Sequence, residues 1–257
     1  LPFDARPLVS CGIDQLSRLA FEEEYLRNAF APDVLQANVR TYEQQLSACK
    51  MVDTPDSAVP TALGVLVLGK VPTDWIPGAY VQFLRIAGSG LADPIVDAAD
   101  IRGRVGRIVT LLDEKLSSHN RVAVDLVSGP IERRTYTYPV AALQQITRNA
   151  IMHRAYEGTN APVRVSWFDD RVEVQNSGGV FGSVTPETFG HPGVTDYRNP
   201  NLAEAMKVLG CVQKFGAGIA TANRAMLDNG NPEIVFTIEQ THVLAVLKSR
   251  ESTAANV

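Results

Sequence analysis

Tyr138–Tyr156 reads YPVAALQQITRNAIMHRAY, and the reading of this stretch decides the fold. Pro139 suits a first helical turn, where its missing N–H costs nothing. From there an amphipathic pattern runs to about His153. Leu143, Ile146, Thr147 and Ala150 fall on one face, while Gln145, Asn149 and His153 return at helical spacing as a polar stripe along one side. Such a stripe is ordinarily a solvated edge. An Asn beside an apolar face can instead point its amide into a cleft, and the residues downstream favour that reading.

Residues 161–168 and 171–175 alternate as two strands about the turn Asp169-Asp170, a hairpin that ends at Asn176-Ser177-Gly178-Gly179. The glycines allow positive φ and a close approach of backbone to a ligand. Val180 to Arg198 then holds Gly182, Pro186, Gly190, Pro192 and Gly193 with few apolar residues. A loop of that length inside a compact domain is usually functional or disordered. Asn199-Pro200 reads as N-cap and first residue of a helix that Gly210 stops. Lys214-Phe215-Gly216-Ala217-Gly218-Ile219 opens another helix, to about Asp228. Glycines at a helix start expose N–H groups toward an anion, and Lys214 adds charge. Residues 234–238 and 242–248 close the region as strands.

Toward the N-terminus, residues 1–58 read as mostly helical, with helices over 13–29 and 34–51 that end before the loop Thr54-Pro55-Asp56-Ser57. Pro60-Thr61 then opens an apolar run to Leu68, read as a strand, and a second strand covers 79–87. Residues 100–117 read as a helix whose Arg102, Arg104 and Arg107 form a small basic face, with Arg133-Arg134 a second. Solvated arginines are the ordinary outcome, and phosphate contact is the functional one. Residues 121–127 and 131–137 alternate about Ser128-Gly129-Pro130, a hairpin signal. Two domains are expected, over 1–130 and 131–250, with a tail at 251–257.

The chain has 257 residues, 45% of them hydrophobic, enough for a substantial core. Its net charge of −4 gives no global pull toward nucleic acid, so DNA contact would need a local basic patch. Cys11, Cys49 and Cys211 show neither disulfide nor metal-ligand spacing, which fits a reducing cytoplasm. No apolar run has membrane-spanning length. The opening Leu1-Pro2-Phe3 lacks an initiator Met, as expected of a piece of a longer protein, and carries no signal-peptide pattern.

A polar helix, a glycine turn and a glycine-rich helix start, in that order, resemble the GHKL (Bergerat) nucleotide-binding fold of histidine kinases, gyrase-type ATPases and Hsp90 chaperones. The strings QQITRNAIMHRAY, RVEVQNSGG, YRNPNLAEAMKVLG and KFGAGI look like one bacterial family in particular. Its members join an AlbA-like, Schlafen-type domain to a divergent GHKL module. They are labelled transcriptional regulators or RecG-type ATP-dependent DNA helicases. The segment PTALGVLVLGKVP, followed by the 79–87 strand, is similar to the C-terminal half of the AlbA-like domain. The resemblance implies an α+β chain, a partial AlbA-like α/β domain followed by a GHKL α/β sandwich.

By position, the resemblance makes Asn149 the magnesium ligand and sets Asn176 at the adenine end. Gly178 and Gly179 shape the pocket floor, and Gly216, Ala217 and Gly218 hold phosphate. GHKL ATPases place a Glu one helical turn before that Asn; here the position is Gln145, which cannot act as a general base. The adenine carboxylate is replaced by Asn176, an acceptor without charge assistance. The expectation is an ATP- and Mg-binding module with little or no hydrolysis, in a cytoplasmic, DNA-binding transcriptional regulator, with a homodimer allowed. One alternative is an active ATPase that takes its carboxylate from Asp169, Asp170, Glu173 or a partner. Another is a nucleotide-free dimerisation scaffold with Phe181 or Phe215 plugging the cleft. His153 and Arg154 accompany the family pattern and are expected to pack. With no G-x-x-x-x-G-K-[ST] P-loop in the sequence, a helicase motor is not expected. A nuclease is the least expected reading, since no clustered acidic triad is visible in the first domain.

Overall fold

A computed structural model describes residues 1–125, 133–191, 193–212 and 218–250. Lys214, Phe215, Gly216 and Ala217, the hairpin turn at Ser128-Gly129-Pro130 and the 251–257 tail lie outside the described residues. So do the side chains of Arg133 and Arg134.

The N-terminal region is helical but more broken than its periodicity suggests. A π-helical stretch, Ala20–Leu26, runs into the short α1 (Arg27–Ala29), and α2 (Pro32–Gln36) is separate from α3 (Tyr42–Ala48). The break has a local cause. Thr41 and Gln44 form a reciprocal capping box, each side chain bonded to the other's backbone N–H, which fixes a helix start inside the 34–51 pattern.

The apolar run after Pro60 is a helix, α4 (Ala62–Leu68), and not the strand expected. All its residues are buried, so no amphipathic period is visible, and a short apolar run does not by itself separate strand from buried helix. The overlooked signal is Thr61, whose side chain accepts from the Gly64 N–H as an N-cap. Gly64 is small because a Cβ there would lie 2.0 Å from the Met51 carbonyl oxygen.

β1 (Tyr80–Ile86) pairs antiparallel with β2 (Ile95–Arg102). The expected helix at 100–117 therefore starts later, as α5 (Val105–His119), with Asp100–Arg102 in the strand. The basic face read there is largely occupied. Arg102 pairs with Asp100 and lies over the Tyr80 ring, and Arg104 pairs with Glu24. β3 (Val122–Asp125) and β4 (Arg133–Tyr136) form the expected antiparallel pair.

The decisive stretch is α6 (Val140–His153), with Ala142, Leu143, Ile146, Thr147, Ala150 and Ile151 buried. Next come β5 (Val163–Trp167), β6 (Arg171–Ser177), α7 (Pro200–Val208), α8 (Gly218–Asp228), β7 (Val235–Ile238) and β8 (His242–Lys248). The main sheet has six strands in the order β2-β1-β5-β6-β8-β7, and only β1 and β5 are parallel. Strands from both halves of the sequence thus share one mixed sheet. Along β6 and β8 every second residue is buried, and α6 packs on β5 and β6 while α8 packs on α6. This is an α+β architecture.

α7 gets its N-terminal cap from far away. Asn199 makes no capping bond; its amide donates to the Met152 and Arg154 carbonyls at the end of α6. Asp4, fully buried, does the capping, accepting from the N–H groups of Asn201 and Leu202 at 2.7 and 2.9 Å and from the Asn201 amide. Asp4→Ala leaves those donors without a partner and removes a negative charge from a helix N-terminus, and is expected to cost about 2 kcal/mol. Urea denaturation with an unchanged m-value would show it as a lower midpoint.

Candidate functional site

The polar stripe of α6 does not face open solvent. Gln145, Asn149 and His153 line a cleft bounded by the end of β6, the 180–198 loop and the start of α8. Asn176 and Gly179 line it from the strand side, and Gly218 from α8. Asn176 belongs to β6 itself, opposite Val243 of β8, so the strand runs further than its hairpin pattern suggests. Its amide donates to the Ser177 carbonyl at 3.3 Å.

The two glycines after β6 have different duties. Gly178, at φ +88°, does not line the cleft; a Cβ there would lie 2.8 Å from that of Ala155, so this residue lets the strand end meet the end of α6. Gly179 does line the cleft, and its missing side chain admits the Glu239 carbonyl oxygen, 2.3 Å from where a Cβ would sit. Gly218 approaches α6 closely, and a methyl there would lie 3.1 Å from Oε1 of Gln145.

The long loop is stapled over the cleft. Asp196 accepts from the Ser183 and Tyr197 N–H groups and from the Ser183 hydroxyl, and these bonds hold its carboxyl below the usual range. Phe189 meets Phe236 edge-on at 5.1 Å, and the Arg198 guanidinium lies over Phe181. His153 stacks on Tyr197 with ring centroids 5.5 Å apart. About 210 Å³ of open space remains beneath, so Phe181 forms a wall and does not plug the cleft.

Burial, reinforced by the Arg198 cation, pushes His153 down to about 4 from an ordinary value of 6.5. Between those values the unfolded chain binds a proton that the folded chain does not, so stability is full above pH 6.5 and falls as pH drops toward 4. The slope expected is about 1 kcal/mol per pH unit. Melting temperature measured across that window checks it, and His153→Gln should flatten the profile.

Among the described cleft-lining residues Asp196 is the sole carboxylate, and its oxygens accept bonds within the loop turn. Gln145 supplies an amide with no useful basicity. The carboxylates named as substitutes lie elsewhere, Asp169 paired with Arg85 and both Asp170 and Glu173 with Arg171. Among the described residues no group of three or more His, Cys, Asp or Glu side chains is placed to hold a metal ion. Asn149, the single magnesium ligand that the resemblance implies, does line the cleft, and its amide oxygen fits a magnesium ion whose other ligands are phosphate and water oxygens.

Sequence reasoning missed Asp196, Tyr197 and Lys207, which line the cleft from the loop and α7. No periodicity marks Asp196 and Tyr197, because a folded loop places them, and Lys207 comes from α7. Arg154 is fully buried, its guanidinium donating to the Ala161 and Thr159 carbonyls, and it packs as expected.

Residues 160–247 match the protein-family model described as "Putative ATP-dependent DNA helicase recG C-terminal", an ATPase-like domain family. The match supports an ATPase-like domain over these residues; α6 lies before it. No curated protein matches the chain. Seven solved chains do, among them the DIP2311 protein from Corynebacterium diphtheriae, with a TM-score of 0.71 and 18% identity over 97% of this chain. At that identity the likeness is one of fold, and this chain spans 48% of that protein. Among the described residues no helix is long and apolar enough to cross a membrane.

Proposed function

We propose that the chain is a divergent GHKL-type module that binds ATP with little or no hydrolysis and serves as the sensing part of a DNA-binding transcriptional regulator. One observation carries the nucleotide half. Gln145, Asn149, Asn176, Gly179 and Gly218, scattered over more than seventy positions, line one cleft under a stapled loop. Asn149 and Gln145 face the phosphate end beside Gly218, and Asn176 faces the base. The carboxylate base of the resemblance is replaced, since Gln145 cannot take a proton from water, and Asp196 accepts from backbone N–H groups in the loop turn.

ATP is expected to raise the melting temperature while phosphate release stays at the buffer level. Release that disappears in Asn149→Ala would instead make the chain a working ATPase. The absence of any shift would favour a dimerisation scaffold.

The DNA half rests on the resemblance of the 60–87 segment. Arg102 and Arg104 are engaged in ion pairs, and Arg107, together with Arg133 and Arg134 from the second basic pair of the sequence, gives the positions to test. Duplex binding that weakens steeply with salt, and further on charge reversal at these positions, would support phosphate contact.

A further inference from the structure

We infer that Lys207 contacts the nucleotide's phosphates, as a cation supplied by α7, an element to which the resemblance assigns no ligand. The inference rests on the nucleotide reading above and deepens it by naming a charged residue that holds the ligand.

Lys207 lies in the last turn of α7 and lines the cleft together with Asn149, Tyr197 and Gly218. The helix starts beside the end of α6, where the Asn199 amide donates to the Met152 and Arg154 carbonyls. Cys211, just past its other end, feels the charge of Arg148, the neighbour of Asn149 in α6. α7 thus runs back along α6, from its end toward the level of Asn149, and brings Lys207 there. The ammonium lies 5.9 Å from the centre of the Tyr197 ring, which is stacked on His153. The ring face gives the cation a favourable neighbour on the cleft wall.

The partner that Lys207 has is easily shared. Its side chain is 26% exposed, whereas Glu204, 3.3 Å away, is 68% exposed, and an ion pair with one wet member contributes little. Asp196 puts a negative charge in the same cleft. That charge is offset within the loop turn, where it accepts from the Ser183 and Tyr197 N–H groups and the Ser183 hydroxyl. A lysine binds phosphate as a point charge on a flexible stem, so it needs no fixed fork geometry to reach the ligand from a helix.

The test is equilibrium binding of ATP, with magnesium present, at two salt concentrations. The proteins are wild type, Lys207→Met, Lys207→Gln and Lys207→Arg. Lys207→Met keeps most of the apolar stem and removes the charge. It is expected to bind ATP roughly tenfold more weakly, as is Lys207→Gln, while Lys207→Arg stays close to wild type. Added salt should weaken wild type more than Lys207→Met. Wild-type affinity in Lys207→Met or Lys207→Gln would overturn the inference and leave the nucleotide reading intact. Equal losses in all three variants, with an unchanged salt dependence, would assign the residue to packing and overturn it as well. No ATP binding by wild type would overturn both readings. Should Lys207→Met fail to fold, Lys207→Gln decides.

Discussion

Valine at position 218 is expected to weaken ATP binding by roughly 100-fold, the upper range for forcing bulk into a packed site, while the protein stays folded. Gly218 starts the described part of α8 with an ordinary backbone, so valine meets no conformational barrier, and a helix prefers it to glycine. What changes is the space. The first carbon of the new side chain already lies 3.1 Å from Oε1 of Gln145, and the added methyls extend into the gap between α8 and α6. Gly218→Ala should be intermediate. A melting temperature within a few degrees of wild type, with binding lost, would identify the loss as one of ligand space.

Arg154→Ala should have the largest effect on stability, about 4 kcal/mol, in the range for removing one member of a buried polar network. For a chain of this size that lowers the melting temperature by about 10 °C. The guanidinium is fully buried, donates through Nε and Nη2 to the Ala161 carbonyl at 3.0 and 2.6 Å, and lies over the Tyr156 ring. It ties the 154–161 segment between α6 and β5. Gly78 is part of the same arrangement, since a Cβ there would stand 1.9 Å from Nη2. Burial pulls the guanidinium below its usual pKa, and the carbonyl partners of Nε and Nη2 offset part of the cost of burying it, while Nη1 has no partner among the described residues. Arg154→Lys keeps the charge without the fork and should recover part of the loss. Thermal denaturation followed by circular dichroism separates the variants.

The parts of the fold legible in the sequence are those in which one face of an element is wet or polar. α6 shows two faces within a few turns, and β6 and β8 alternate, so their periods appear in the residues themselves. α4 is buried on every side and shows no period, and its hydrophobic run passes for a strand until Thr61 is recognised as a cap. The α7 cap is illegible for another reason. Asn199 and Pro200 carry the local signal, yet the capping carboxylate belongs to Asp4, 197 residues from Asn201.

The same division runs through the candidate site. Gln145 and Asn149 stand out because they break an apolar helix at regular spacing, and both line the cleft. Gly178 and Gly179 stand out as a pair, but only their packing separates the one that meets Ala155 from the one in the cleft wall. Asp196, Tyr197 and Lys207 have no local mark. Asp196 and Tyr197 lie in a loop held by Phe189 against Phe236 and by His153 stacked on Tyr197, contacts between residues distant in sequence, while Lys207 reaches the cleft from α7.

Calorimetric titration of ATP into the wild-type protein and into Asn149→Ala tests the central claim most directly. Saturable binding at one site is predicted, weakened roughly tenfold or more by Asn149→Ala, as expected for losing a hydrogen bond to a charged phosphate. No heat with wild type, or equal affinity for both proteins, would contradict the assignment of a nucleotide to this cleft.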